Sequence, residues 1–102
     1  MHRFIPAILI AAAGACLLAT SSGQAAENAE AGRTIAETWC QPCHAIGQRQ
    51  ASDLAPPFSD IIARRTRQEI ATFLADPHGE MPNIQLARQQ IADIIAFMAT
   101  TK

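Results

Sequence analysis

Cys40-Gln41-Pro42-Cys43-His44 gathers two thiols and an imidazole within five residues. Thiols three positions apart, on one turn of helix or in a tight loop, can each add across a vinyl group of a protoporphyrin. The imidazole directly after the second thiol then reaches the iron as proximal ligand, and C-x-x-C-H is the attachment signature of c-type haem. The same residues suit two other chemistries. Trp39-Cys40-Gln41-Pro42-Cys43 differs at one position from the W-C-G-P-C of thioredoxin-type dithiol exchange, and Pro82 stands at about the distance where that fold carries its cis-proline. A structural zinc ion wants four ligands, and adding His78 to so compact a trio makes an unusual site.

The haem reading calls for a ligand on the opposite face of the iron, and three residues compete for it. Met98 falls on the inner stripe of a helix, which is a core position for a thioether. His78 would give a bis-histidine iron, but it follows Pro77 at a helix end, where a solvated imidazole is the ordinary outcome. Met81 lies in an irregular loop pinned by Pro82. A thioether is a soft ligand suited to Fe(II), and Met/His ligation raises the potential relative to harder ligands. Met81 is the expected metal ligand beside His44, ahead of His78.

The elements that must position these residues occupy only part of the 102-residue chain. Met1-His2-Arg3 is a short basic start, Phe4 to Ala19 is almost wholly apolar, and Thr20 to Ala25 is polar with small residues at Gly23 and Ala25. That order reads as a secretory signal peptide over residues 1–25. As a retained anchor the apolar run is slightly short of the roughly 20 residues a span requires. A lipoprotein reading through Cys16 lacks the usual leucine, and the run continues past it with Leu17-Leu18. Cleavage after Ala25 leaves a single domain of 77 residues, with seven basic and nine acidic side chains and a net charge of −2. Nucleic-acid binding would call for a basic face, and none is implied. A domain this small buries little surface and leans on a disulfide, a metal or a cofactor.

No valine and no tyrosine occur in residues 26–102, and the apolar residues recur in threes and fours rather than in alternation. The chain is therefore expected to be all-α, which removes the strands that a thioredoxin needs. A first helix is expected from Asn28 to Cys40, with Ala31, Ile35, Ala36 and Trp39 along one stripe and Gly32 in its middle. The segment from Ala45 to Pro57 reads as loop, and a short helix from Phe58 to Arg65 carries Phe58, Ile61 and Ile62 inward. Thr66 and Glu69 form a capping box for a third helix, which buries Ile70, Phe73 and Leu74 and stops at Asp76-Pro77. The stretch from Pro77 to Asn83 is irregular. A last helix from Ala87 to Ala99 places Ile91, Ile94, Ile95 and Met98 on one face.

This order resembles the small monohaem class I cytochromes c over the whole of residues 26–102. The matching residues are Gly32, Trp39, Cys40, Cys43 and His44, then Ala55-Pro56-Pro57-Phe58, Met81-Pro82-Asn83, and Phe97 in the last helix. The resemblance implies a bundle of about four short helices around one haem c, held covalently through two thioethers. It implies that Pro56 accepts a hydrogen bond from the proximal imidazole through its carbonyl, with Ala55 where glycine is more usual. It also implies a crossing of first and last helices at Gly32 and Phe97. Ala87 stands where Ser or Thr often caps the last helix.

The function expected is that of a periplasmic single-electron carrier, not an enzyme. Its partners would be a dehydrogenase donor and a reductase or oxidase acceptor, with a membrane involved only if the signal segment is retained. Trp39, Phe58, Phe73 and Phe97 are expected to pack around the porphyrin, Trp39 with the further option of donating its indole N–H to a propionate. The alternatives are a haem protein whose sixth position is open to a diatomic gas or peroxide, and thiol–disulfide exchange. Arg64, Arg65 and Arg67 cluster at a helix junction. They suit a helix C-terminus, a docking patch or a counter-charge for propionates equally well.

Overall fold

The structure, a computed structural model, describes Arg3, residues 26–47 and residues 52–102. The expected signal segment and Cys16 lie outside the described residues. Four α-helices follow in order: α1 Ala29–Ile35, α2 Phe58–Arg64, α3 Arg67–Ala75 and α4 Arg88–Ala99. No strand occurs among the described residues, so the fold is all-α as the composition requires. None of the helices described is long and apolar enough to cross a membrane.

Side chains accept from free N–H groups at the start of α1 and α3, whereas α2 starts after Pro57 with no side-chain cap. The Asn28 side chain accepts from the Ala31 N–H at 3.1 Å to open α1. Thr66 and Glu69 form the full reciprocal box at α3, with both bonds at 3.0 Å. Ala87 has no side-chain acceptor, so α4 keeps only half a box: Gln90 Oε1 accepts from the Ala87 N–H at 2.8 Å. That half suffices to start the helix at Arg88.

The first helix departs from the expected single run. After Ile35 it widens into a π-helical turn, Ala36–Cys40, with the Gln41 N–H donating to the Ala36 carbonyl at 2.9 Å. The extra residue per turn rotates the side chains that follow. Ala36 and Cys40 are buried, whereas Trp39 turns outward and is 62% exposed. The stripe expected through Trp39 therefore breaks at the π turn.

α1 crosses α4 at Gly32. A Cβ there would stand 1.9 Å from the Asp93 carbonyl oxygen and 2.9 Å from the Ile94 nitrogen. Only glycine allows so close an approach of two backbones. The tight point falls on Asp93 and Ile94, one turn before Phe97, whose ring is covered by the Arg33 guanidinium at 5.6 Å. Asp93 is buried, and its Oδ1 accepts from the Asn28 N–H and from Gln89 Nε2, both at 2.9 Å. A charged side chain thus ties the start of α1 to α4 from within the crossing. Ile91, Ile94, Ile95 and Met98 all face inward as their spacing predicts, and Ile62, Ile70 and Leu74 meet them from α2 and α3.

Candidate functional site

The C-x-x-C-H segment is a tight turn built on one carbonyl. Cys40 O accepts from the Cys43 N–H at 3.1 Å and from the His44 N–H at 2.9 Å, which holds both thiols and the imidazole close together. Cys40 is buried and Cys43 exposed, and both sulfurs are free thiols. Burial pushes the Cys40 thiol up to about 11, so it stays protonated at neutral pH. A dithiol exchanger needs the opposite, a thiol whose pKa has been lowered.

Two backbone bonds then pin the following segment to this turn. The Ala55 N–H donates to Cys43 O and the Phe58 N–H donates to Ala45 O, each at 2.9 Å. Between those anchors lie two prolines with no N–H, and the Pro56 carbonyl meets His44 Nδ1 at 2.7 Å. A carbonyl can only accept, so Nδ1 carries the proton of that bond. In the neutral ring Nε2 is then left with its lone pair. The His44 ring also tilts against Phe58, centroids 5.6 Å apart, and Phe58 is packed edge-on against Phe97.

His44 opens on a cleft of about 1020 Å³ whose wall brings together almost every residue singled out by the sequence. Cys40, Cys43, Trp39, Pro56, Phe58 and Met81 line it, as do Phe73, His78 and Met98. A second groove of about 870 Å³, bordered by Arg33, Glu37 and Phe97, holds none of the thiols or imidazoles. Trp39 belongs to the cleft wall and not to the protein's own core. His78, expected to be solvated, is exposed but carries its ring edge-on against Phe73 at 4.8 Å. Met81 is half-buried against the core, in a loop bent by Gly79 at φ +74° and Gln85 at φ +54°. Asn83 Oδ1 steadies that second bend by accepting from the Gln85 N–H at 2.9 Å.

The arginine cluster is divided. Arg64 and Arg65 line the cleft, but Arg67 points to Glu27 at 3.3 Å, away from the cleft wall. Leu54, 79% exposed, and Ile84 also line the cleft. Neither carried a sequence signal, because each is a single apolar residue in a loop. Asp93 carries no sequence signal either, since a lone carboxyl side chain between isoleucines looks like the polar edge of a helix.

The family model for cytochrome c matches residues 29–102, that is, from the first residue of α1 through the end of α4 and beyond it. The chain belongs to the cytochrome c family. It is 34% identical over 97 residues to cytochrome c-552 of Bradyrhizobium diazoefficiens, covering 87% of this chain and 93% of that protein. No solved structure matches. The cytochrome c fold accounts for the all-α architecture, and membership makes this chain a haem-iron electron carrier that works with redox partners. Dithiol exchange on a thioredoxin scaffold is thereby removed.

Proposed function

We propose that this cytochrome c is a periplasmic single-electron carrier with one haem c, exported by residues 1–25 and working through residues 26–102. Cys40 and Cys43 hold the porphyrin through two thioethers. His44 and Met81 ligate the iron, and Trp39, Pro56 and Phe58 complete the site. The observation that carries this reading is the 2.7 Å bond from His44 Nδ1 to the Pro56 carbonyl, in a cleft that both cysteines and Met81 also line. Two thiols, an oriented imidazole and a thioether on a largely apolar wall are the donor set that haem c requires.

Bound there, the haem supplies the one-electron Fe(III)/Fe(II) couple. The protein's own groups do the rest. Pro56 fixes the tautomer and direction of His44 and raises its basicity. Phe58, Ile94 and Met98 keep water from the inner wall, and an apolar shell with a thioether ligand favours the reduced state. Donor and acceptor, a dehydrogenase on one side and a reductase or oxidase on the other, meet the carrier through a small transient interface.

The test is direct. Purified protein from the periplasmic fraction, denatured in acid, should keep its haem on the polypeptide. The native oxidised form should be low-spin, with the weak near-infrared methionine-to-iron band. A colourless protein, or haem extracted by acid, would reject covalent attachment. High-spin iron that readily binds carbon monoxide would favour an open sixth position and a gas- or peroxide-directed role instead.

A further inference from the structure

The loop that carries Met81, residues 76–87 between α3 and α4, bends at two residues of positive φ, Gly79 at +74° and Gln85 at +54°. Glycine takes that conformation freely, whereas any other residue is opposed there by its own Cβ. Gln85 is the one non-glycine residue in that region among the described residues. Asn83 is also the one side chain of the loop that hydrogen-bonds the loop's own backbone: its Oδ1 accepts from the Gln85 N–H at 2.9 Å. A side-chain amide that reaches the backbone two residues on builds a turn of its own and offsets the strain at Gln85.

The residues on either side of this bend go to different places. Ile84 lines the cleft, while Leu86 packs against the core, as Met81 does. We propose that Asn83 is a positioning residue for Met81: by holding Gln85 left-handed it keeps Ile84 and Leu86 seated, and with them Met81 on the cleft wall. The inference rests on the reading of Met81 as the second axial ligand. Asn83 is itself exposed and acts through the backbone, without touching the thioether.

Without that bond the Gln85 Cβ draws the backbone toward negative φ, and the chain leaves Asn83 in another direction. Met81, two residues before Asn83, then comes off the wall in a larger share of the molecules. Added imidazole competes with the thioether for the same position, so its apparent affinity reports the share of molecules in which Met81 is off. Loss of one hydrogen bond of this kind should raise that affinity roughly three- to tenfold. A turn with no bearing on Met81 behaves differently. Its bond persists whether Met81 is on or off, so its loss lowers the urea midpoint and leaves the imidazole affinity alone.

The experiment is imidazole titration of the oxidised, haem-loaded wild type, Asn83→Ala, Asn83→Asp and the double variant Asn83→Ala/Gln85→Gly, followed by the near-infrared methionine band. Urea midpoints are recorded on the same samples. Asn83→Ala should bind imidazole more tightly than wild type by the factor above. Asn83→Asp keeps the acceptor oxygen and should recover at least half of that change on a logarithmic scale. Gln85→Gly, added to Asn83→Ala, should recover as much, because glycine holds the bend unaided. An Asn83→Ala affinity equal to wild type, whatever its urea midpoint, overturns the proposal, as does a double variant no closer to wild type than Asn83→Ala alone. A wild type without the methionine band rejects Met81 ligation itself, whereas a banded wild type with an unmoved Asn83→Ala affinity rejects only the role of Asn83.

Discussion

Replacing Gly32 with alanine adds one methyl group at the point where two backbones touch. That methyl would stand 1.9 Å from the Asp93 carbonyl oxygen, 2.4 Å from its carbon and 2.9 Å from the Ile94 nitrogen. Ordinary contact begins near 3.4 Å, so α1 and α4 must separate locally by about 1.5 Å. None of the three obstructing atoms belongs to a side chain that could swing aside. Ile94 on α4 and Ala36 in the π turn that continues α1, both completely buried, would lose packing with the separation. Overpacking of this kind costs about 1 to 3 kcal/mol, and the rigidity of the obstruction puts Gly32→Ala at the upper end. Alanine returns up to ~1 kcal/mol as the better helix former, which leaves a net loss of about 2 kcal/mol. For so small a domain, with a urea m-value of about 1 to 1.5 kcal/mol/M, the midpoint should fall by roughly 1.5 M. Urea titration followed by far-ultraviolet circular dichroism reads this directly. Gly47→Ala is the control, because a Cβ there meets nothing within 4 Å, and its midpoint should stay level or rise slightly. A Gly32→Ala midpoint at or above the wild-type value would refute the close crossing.

Other perturbations have equally definite outcomes. Met81→Ala should turn the oxidised haem high-spin, abolish the near-infrared band and lower the midpoint; if a low-spin spectrum persists, His78 is the ligand. Asp93→Ala leaves the Asn28 N–H and the Gln89 amide without their shared acceptor and should cost about 1 to 3 kcal/mol in urea unfolding, with Asp93→Asn losing less. The Glu69 carboxyl is held below the usual carboxylate range by the Thr66 backbone N–H, then by the Thr66 hydroxyl, and more weakly by Arg65, against a small opposing desolvation. Its contribution is therefore complete above the ordinary carboxylate pKa and lost as pH falls through its lowered folded value. Thermal melts of wild type and Glu69→Gln should differ at pH 7 and converge in acid, and a constant gap across that range would contradict the assignment.

The parts legible in the sequence are those governed by short-range rules. C-x-x-C-H needs its residues at fixed spacing, so Cys40, Cys43 and His44 could be read directly. Thr66 and Glu69 announce the start of α3, and the isoleucines of α4 declare its buried face. Pro56 was readable through family resemblance, and its bond to His44 is present. What stayed hidden depends on distant partners or on a change of helical period. A 3.6-residue period puts Trp39 inward, and one π turn sends it out to the cleft wall. Asp93 is buried because Asn28, 65 residues away, needs an acceptor there. Arg64, Arg65 and Arg67 are indistinguishable as sequence, since only tertiary placement decides which carboxylate each can reach.

The clasp of α1 by α4 also orders events in time. The helices that meet at Gly32 are the first and the last, with more than fifty residues between them. The Asp93 acceptor for the Asn28 N–H does not exist until the carboxyl end of the chain has been made. A polypeptide emerging amino end first therefore presents Cys40, Cys43 and His44 as an open turn while no completed core can enclose them. The thiol that ends up shielded is reachable during that interval. A planar group joined to those thiols before α4 is made would be enclosed when α4 packs against the inner wall.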